Sequence, residues 1–220
     1  MSTSTAKRRL VVLISGSGTN LQALIDAQNT PALPNAEIVL VFSNRKAAFG
    51  LTRASQAQPP IPTGYLALQP YLKSHPGKTR DDYDAEVARR VLQADPDLIV
   101  LAGWMHVFGD GFLELANQAK GGQGVPVINL HPALPGAFDG TNAIERAYEA
   151  FHNGEITHSG VMVHRVVKDV DRGEPLIVRK VLLTEGEGVE AFAKRLHTVE
   201  WEIIVEASKQ VLDEVMPMPP

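Results

Sequence analysis

The run Asn129-Leu130-His131-Pro132 combines side chains that could stabilise charge at one reacting atom. Asn129 and His131 are two residues apart, and such residues point to the same side of an extended strand. An amide and an imidazole directed at one oxygen would favour negative charge there. Asp171 follows about forty residues later, and its carboxylate could hold the imidazole in its protonated, donating form. The pattern predicts a catalytic site at the end of a strand.

A second motif, Ser15-Gly16-Ser17-Gly18-Thr19-Asn20, directly follows the first predicted strand and opens a helix. Glycines let the backbone approach a ligand, and the N-terminus of a helix offers free amides to an anion such as phosphate. A tight turn that only caps the helix remains an alternative. A dinucleotide site is disfavoured because its third glycine position is Leu21, and a triphosphate loop is disfavoured because no Gly-Lys-Ser/Thr follows. The loop fits a single phosphate best.

The elements that must position these motifs alternate along the chain. Apolar runs at residues 10–14, 37–42, 65–68, 98–102 and 127–130 are short and rich in Val, Ile and Leu, as strands buried on both faces are. Segments with helical spacing lie between them, for example around Leu21 and Leu24 and from Tyr83 to Val91. This alternation predicts an α/β fold with a doubly wound, mostly parallel sheet.

The pattern changes after His131. We predict a helix at residues 142–152, an antiparallel strand pair at 159–167 and 176–183 joined by a turn at 169–173, and a final helix at 189–214. Residues 1–8 are expected to form a flexible N-terminus, 9–215 a single domain and 216–220 a proline-rich tail. The glycine-rich residues 117–125 are expected to form a surface loop, with a lid over the ligand as the alternative.

Composition bounds the class of protein. The chain has 220 residues, of which 44% are hydrophobic, enough to bury about 70% of the unfolded surface. It has no cysteine, which excludes disulfides, thiolate zinc sites and cysteine nucleophiles. A net charge of -4 gives no general attraction to nucleic acid or acidic lipid, and the first apolar run is too short to span a membrane. We expect a cytoplasmic protein with neither a nucleic-acid nor a membrane partner.

Six motifs occur in the order in which one enzyme family has them, and the resemblance covers about residues 9–204. The chain resembles the folate-dependent phosphoribosylglycinamide formyltransferase family. The motifs are Ile14-Ser15-Gly16-Ser17-Gly18-Thr19-Asn20-Leu21-Gln22-Ala23-Leu24-Ile25, Phe42-Ser43-Asn44-Arg45, Val100-Leu101-Ala102-Gly103-Trp104-Met105, Asn129-Leu130-His131-Pro132-Ala133-Leu134-Pro135, Ser159-Gly160-Val161-Met162-Val163-His164 and Asp169-Val170-Asp171-Arg172-Gly173.

The resemblance implies a Rossmann-like formyltransferase fold and a reaction. The formyl group of 10-formyltetrahydrofolate would pass to the amine of 5-phosphoribosylglycinamide, in purine synthesis, without a metal. Asn129 and His131 would stabilise the oxygen of a tetrahedral intermediate, each donor being worth roughly 3 kcal/mol in comparable sites. Asp171 would favour the imidazolium form of the histidine and assist proton transfer.

The resemblance also implies binding residues. Those for the phosphoribosylglycinamide are Gly18, Thr19, Asn20 and Glu200, and those for the folate are Arg80, Met105, His106, Val107, Phe108 and Asn129. Glu200 could instead be a solvated helical glutamate, and Asp169 competes with Asp171 for the catalytic role. His106 stands where the bacterial pattern has arginine, so we expect the backbone of its segment to make the contacts. The other histidines expected to be structural or solvent-facing are His75, His152, His158 and His197.

Other functions remain open. A sister enzyme, either a methionyl-tRNA formyltransferase or a formyltetrahydrofolate deformylase, would use the same polar set, but each is expected to need a further domain for which 220 residues leave no room. A non-catalytic module could use the glycine loop to bind a phosphorylated metabolite. A nicotinamide oxidoreductase is the third alternative, and Leu21 argues against it.

Overall fold

The computed structural model describes residues 6–217 and is built around one sheet. The strands of this part of the chain are β1 (Arg8–Ile14), β2 (Ala36–Ser43), β3 (Thr63–Tyr65), β4 (Leu98–Leu101), β5 (Val127–His131), β6 (His158–Arg165) and β7 (Pro175–Leu182). Their order across the sheet is β3-β2-β1-β4-β5-β6-β7. Strands β1 to β5 run parallel, whereas β6 is antiparallel to both β5 and β7. The predicted sheet with its antiparallel C-terminal pair is confirmed.

Helices cover both faces of the sheet. They are α1 (Thr19–Ala27), α2 (Phe49–Gln56), α3 (Leu68–Ser74), α4 (Arg80–Leu92), α5 (Asp110–Gly122), α6 (Ala143–His152) and α7 (Val189–Val215). Leu10 and Val12 of β1 pack on the side of α1 and α7, and Val11 and Leu13 pack on the side of α4 and α5. All four are fully buried, because a strand covered on both faces needs apolar residues at every position. The doubly wound arrangement is thereby confirmed.

Two local predictions differ from the structure. The third strand ends at Tyr65 instead of continuing to Leu68, which begins α3, because Pro70 is accepted in the first turn of a helix. The predicted loop at residues 117–125 begins later than expected, since α5 runs through Gln118 before its backbone turns at Ala119 and Lys120. The Lys120 side chain then pairs with Asp97, beside the start of β4, away from the carboxyl ends of the strands.

Several predictions concern the ends of the chain. Residues 1–5 and 218–220, on which most of the expected flexible start and tail fall, lie outside the described residues. The domain limits 9–215 remain a prediction. Within residues 6–217, no helix combines the length and apolar character needed to cross a membrane.

The topology gathers polar residues at one edge of the sheet. The parallel strands β1, β2, β4 and β5 all end there, in the place where open α/β sheets bind ligands. Strand β6 contributes its later residues to the same edge because it is antiparallel to β5, with Asn129 opposite His164. Helix α7 crosses α1, β6 and β7 and brings Glu200 to this edge.

Candidate functional site

A cavity of about 510 Å³ opens at the carboxyl edge of the sheet, a size suited to a small-molecule site. Its lining includes the glycine loop at residues 15–20, residues 104–108, and the side chains of Asn129, His131 and Asp171. The cavity therefore brings together nearly all the predicted site residues. Arg80 is the exception, since it does not line the cavity.

Asp171 reaches the cavity from the turn between β6 and β7. Its backbone is in the left-handed region at φ 54°, which aspartate tolerates better than most residues. The backbone N–H of Gly140 donates to Oδ2 at 2.9 Å, and Nδ2 of Asn129 donates to Oδ1 at 3.2 Å. Asp169 is exposed and does not line the cavity, so the structure places Asp171 at the site and its competitor outside it.

His131 is close to Asp171 but is strongly buried. Nδ1 lies 3.5 Å from Oδ2 of the carboxylate, and the side chain is 4% exposed. Burial lowers the pKa of His131 below its ordinary value, and the attraction of Asp171 offsets only part of this effect. Burial thus favours the neutral ring near pH 7, whereas Asp171 favours the protonated imidazole, as expected for this carboxylate. Nε2 has no hydrogen-bond partner within the described part of the chain.

The carboxylate itself remains charged. Burial alone would raise the pKa of Asp171, but a hydrogen bond from His164, the N–H of Gly140 and the proximity of His131 together hold it below its usual range. This wall of the cavity therefore carries a fixed negative charge next to a neutral imidazole.

His164 belongs to the site, although our sequence reasoning gave it no role. Its Nδ1 lies 2.8 Å from the carbonyl oxygen of Arg165, which can only accept, so Nδ1 donates to it. Its Nε2 lies 3.1 Å from Nδ2 of Asn129 and 3.4 Å from Oδ1 of Asp171. Asn129, His164 and Asp171 therefore contact one another in the cavity wall. Antiparallel pairing across β5 and β6 creates this contact, so the sequence motif alone could not predict it.

The glycine loop leads into the N-terminus of α1 and lines the cavity. Gly18 caps the helix at φ 71°, and a Cβ at this position would lie 2.7 Å from the Cα of Gly50. Glycine is therefore required both by conformation and by the close contact with α2. Thr19 and Asn20 follow and line the cavity.

Asn20 and Glu200 join the loop to α7. Nδ2 of Asn20 donates to Oε2 of Glu200 at 3.1 Å, and Nδ1 of His197 lies 3.1 Å from the same oxygen. Glu200 is 4% exposed, so it is not a solvated helical glutamate. Its hydrogen bond raises the pKa of His197 above the ordinary value. His197 lines the cavity with its side chain 44% exposed, so it is solvent-facing as expected and also contacts a predicted binding residue.

Arg45 is a further residue that sequence reasoning did not single out. It lies just beyond the end of β2, next to the glycine loop, and is exposed. Among the described residues that line the cavity, it is the one lysine or arginine. The motif Phe42-Ser43-Asn44-Arg45 and the adjacency of β1 and β2 are the signals that could have identified it.

Another part of the cavity lining is mainly apolar, and its residues 105–108 are called here the rim segment. Met105 and Val107 are exposed, whereas Phe108 is buried and stacks on Trp104 with ring centroids 5.3 Å apart. Val167 and Val170 add exposed apolar surface to the lining.

Two polar residues hold the rim segment from behind. Arg80 donates through Nη2 to the carbonyl oxygen of Val107 at 2.6 Å, so it supports the segment from outside the cavity. The ring of His106 points to Asp84 of α4, with Nε2 2.5 Å from Oδ1. Within residues 6–217, no group of three or more His, Asp or Glu side chains is arranged to hold a metal ion.

The fold and the site define a class: a Rossmann-like α/β protein whose sheet carries an amide, an imidazole and a carboxylate between a glycine loop and an apolar rim. The formyl transferase family model matches residues 8–208, and the chain belongs to this family.

Individual relatives agree with this assignment. The chain is 47% identical to phosphoribosylglycinamide formyltransferase of Schizosaccharomyces pombe, over 93% of this chain and 97% of the relative. It is 45% identical to the enzyme of the same name from Saccharomyces cerevisiae, over 94% and 98%. The crystal structure of phosphoribosylglycinamide formyltransferase from Bacillus halodurans superposes with a TM-score of 0.78 at 28% identity, covering 94% of this chain and 96% of that one.

Proposed function

We propose that this chain transfers the formyl group of 10-formyltetrahydrofolate to the amine of 5-phosphoribosylglycinamide, a step of purine synthesis. The observation that carries the proposal is one cavity lined by a phosphate-type loop, an apolar rim and the polar residues Asn129, His131 and Asp171. Fungal relatives at 45% and 47% identity bear the name of this activity.

The reaction needs charge stabilisation and proton transfer. The amine nitrogen attacks the formyl carbon, and the formyl oxygen of the resulting tetrahedral intermediate becomes negative. The bond from this carbon to N10 of the folate then breaks, the amine loses a proton, and N10 gains one. The products are the formylated amide and tetrahydrofolate.

Asn129 and His131 are proposed to donate to the negative oxygen. His131 would donate as a neutral imidazole, because its burial disfavours the charged form. Nε2 is the ring atom without an internal partner, and that makes it the candidate donor. Nδ2 of Asn129 now donates to Asp171 and contacts His164, and one of these contacts must be exchanged for the substrate oxygen. Each such donor contributes roughly 3 kcal/mol to lowering a barrier of this kind.

Asp171 is proposed to assist the proton transfer. Its negative charge lies 3.5 Å from Nδ1 of His131, so a proton that arrives on the ring during the reaction is stabilised by the carboxylate. A proton taken from the amine could therefore pass through this pair to N10.

The two ends of the cavity suggest where each substrate binds. The phosphate would bind to the first amides of α1, at Gly18, Thr19 and Asn20, with Arg45 supplying a positive charge. Glu200 would accept hydrogen bonds from the rest of the ribonucleotide. The folate would lie along the backbone of Met105, His106, Val107 and Phe108 and reach Asn129, while Arg80 acts indirectly through Val107.

One assay tests the reaction against its alternatives. The protein is mixed with 10-formyltetrahydrofolate, with and without 5-phosphoribosylglycinamide, and both formyl loss and formylated product are measured. We expect formyl loss only when the acceptor is present. Loss without the acceptor would indicate a hydrolase, and no loss in either mixture would indicate a binding module. We also propose a cytoplasmic location, which fractionation of the source cells would test.

A further inference from the structure

We propose that Asp84 and His106 form a positioning pair that holds the rim segment in the shape that binds the formyl donor. The proposal rests on the proposed function, since it concerns the donor end of the same cavity. Asp84 does not line the cavity, so its influence on the donor would be indirect.

Asp84 contacts the rim segment at His106 and the residue directly after it at Gly109. One carboxylate oxygen, Oδ1, lies 2.5 Å from Nε2 of His106, and the other, Oδ2, accepts from the backbone N–H of Gly109 at 2.8 Å. The carboxylate is 1% exposed and the His106 side chain 8% exposed. A buried carboxylate is costly unless it is paired, so these two contacts are expected to be retained together.

Two further hydrogen bonds hold the backbone of the rim segment at Val107 and at Met105. Arg80, one turn before Asp84 on α4, donates to the carbonyl oxygen of Val107, and the hydroxyl of Ser15 accepts from the N–H of Met105 at 2.7 Å. Helix α4 therefore contacts His106, Val107 and Gly109 through the side chains of Asp84 and Arg80.

The ring of His106 packs on the side of α4, against Tyr83 and Phe108, with centroids 5.3 Å and 5.5 Å away. Met105 and Val107, its neighbours in the chain, are exposed and line the cavity. Turning His106 away from Asp84 would therefore move the backbone that carries both of them.

Asp84 and His106 contribute differently to holding the rim segment. His106 supplies the only side chain that ties the middle of the rim segment to Asp84, and Asp84 extends the tie to Gly109. A side chain that places an amide nitrogen where His106 has Nε2 should therefore preserve the segment. An apolar side chain of similar size should not.

Steady-state kinetics of four variants test the proposal. Asp84→Asn and His106→Leu are each expected to raise the KM for 10-formyltetrahydrofolate about tenfold, as expected when a charge-assisted hydrogen bond is lost. The KM for 5-phosphoribosylglycinamide should change by less than about twofold, since neither Asp84 nor His106 contacts Gly18, Thr19, Asn20 or Glu200. His106→Gln should recover most of the donor affinity. Glu86→Gln, which removes a partly exposed charge on the same helix, should behave as the wild type.

Several outcomes would overturn the positioning role. These are an unchanged KM for the donor in folded His106→Leu, equal increases in both KM values, or His106→Gln behaving like His106→Leu. Loss of folding in Asp84→Asn and in both His106 variants would assign the pair to stability instead.

Failure of the proposed function would be recognised separately. It would appear as absence of formyl transfer in the wild type. In that case, titration of 10-formyltetrahydrofolate against tryptophan fluorescence, with Trp104 in the cavity wall, still compares donor affinity between wild type and variants. Equal affinities would then reject the positioning role.

Discussion

At the scale of residues, the site depends on competition for the amide of Asn129. Nδ2 of this residue donates to Asp171 at 3.2 Å and lies 3.1 Å from Nε2 of His164, and each contact is slightly longer than an average hydrogen bond. A substrate oxygen that offers a developing negative charge is a strong acceptor. The arrangement therefore keeps the amide oriented before the reaction while leaving it able to change partner.

The first prediction concerns the three proposed catalytic residues. Asn129→Ala, His131→Ala and Asp171→Asn should each lower kcat by about 10²-fold, because each removes a donor or a charge that acts on the transition state. Initial rates at saturating substrates measure this effect. His152→Ala, an exposed histidine of α6 outside the cavity, is the matched control and should keep the wild-type rate. Full activity in folded His131→Ala would refute the assignment.

The second prediction concerns the opposite pKa shifts of two cavity histidines. NMR titration should place the pKa of His131 below, and that of His197 above, the ordinary value of about 6.5. Asp171→Asn should lower the pKa of His131 further, because it removes the attraction that opposes burial. Glu200→Gln should lower the pKa of His197, because it removes the hydrogen-bonded charge.

The shifts have opposite consequences for stability. For His131 the folded pKa lies below the unfolded one, so its contribution is complete above about pH 6.5 and is lost as the pH falls through the folded pKa. For His197 the folded pKa is raised. Its contribution to stability is therefore complete below about pH 6.5 and is lost as the pH rises through the folded pKa. Urea unfolding of Glu200→Gln should therefore differ from wild type less at pH 8.5 than at pH 6. A larger difference at pH 8.5 would contradict this sign.

At the scale of elements, the sequence predicts what depends on local pattern. Strands such as β1 and β4 are continuous apolar runs because both faces are buried, and their pattern was sufficient to predict a parallel sheet. The edge strand β3 reads Thr63-Gly64-Tyr65 and has no apolar run, so its position was misjudged. The spacing of Asn129 and His131 along one strand predicts a shared side. The contact of Asn129 with His164 depends on register between strands, which no local pattern encodes.

The third prediction concerns the turn that carries Asp171. A Cβ on Gly173 would lie 1.6 Å from the carbonyl oxygen of Arg165, so even alanine forces the backbone of the turn to move. Gly173→Ala should lower the free energy of unfolding by about 1–3 kcal/mol and reduce kcat, since Asp171 moves with the turn. Thermal unfolding and initial rates measure both effects. Gly16→Ala has open space around the new methyl group and should unfold as the wild type does; equal losses in the two variants would contradict the steric explanation.

The structure also changes which substitution tests the glycine loop. Any side chain at Gly18 is strained by its φ of 71° and meets the backbone of Gly50, so such variants would report on folding as much as on phosphate binding. Arg45 is exposed and can be truncated without a packing cost, and is therefore the better position.

At the scale of the whole molecule, binding must overcome an unfavourable charge. The chain has a net charge of -4, and the proposed acceptor carries a phosphate, so long-range attraction does not favour association. Affinity must then come from local groups, namely the amides at the start of α1 and the guanidinium of Arg45. Screening by salt should accordingly affect acceptor binding more than binding of the apolar part of the folate.

The last prediction uses stability of the whole fold to separate the two ends of the cavity. Ligand at a hundred times its Kd stabilises the folded state by about 2.7 kcal/mol, and each kcal/mol raises the Tm of a protein of this size by about 2–4 °C. 5-Phosphoribosylglycinamide and 10-formyltetrahydrofolate, each added alone, should therefore raise the Tm measurably. In Arg45→Ala, a tenfold weaker Kd would reduce the acceptor's stabilisation to about 1.4 kcal/mol and leave that of the donor unchanged. Arg89→Ala, at an exposed position on α4, is the control and should respond as wild type. Equal loss of both shifts in Arg45→Ala would mean that Arg45 supports the fold of the cavity and not the phosphate.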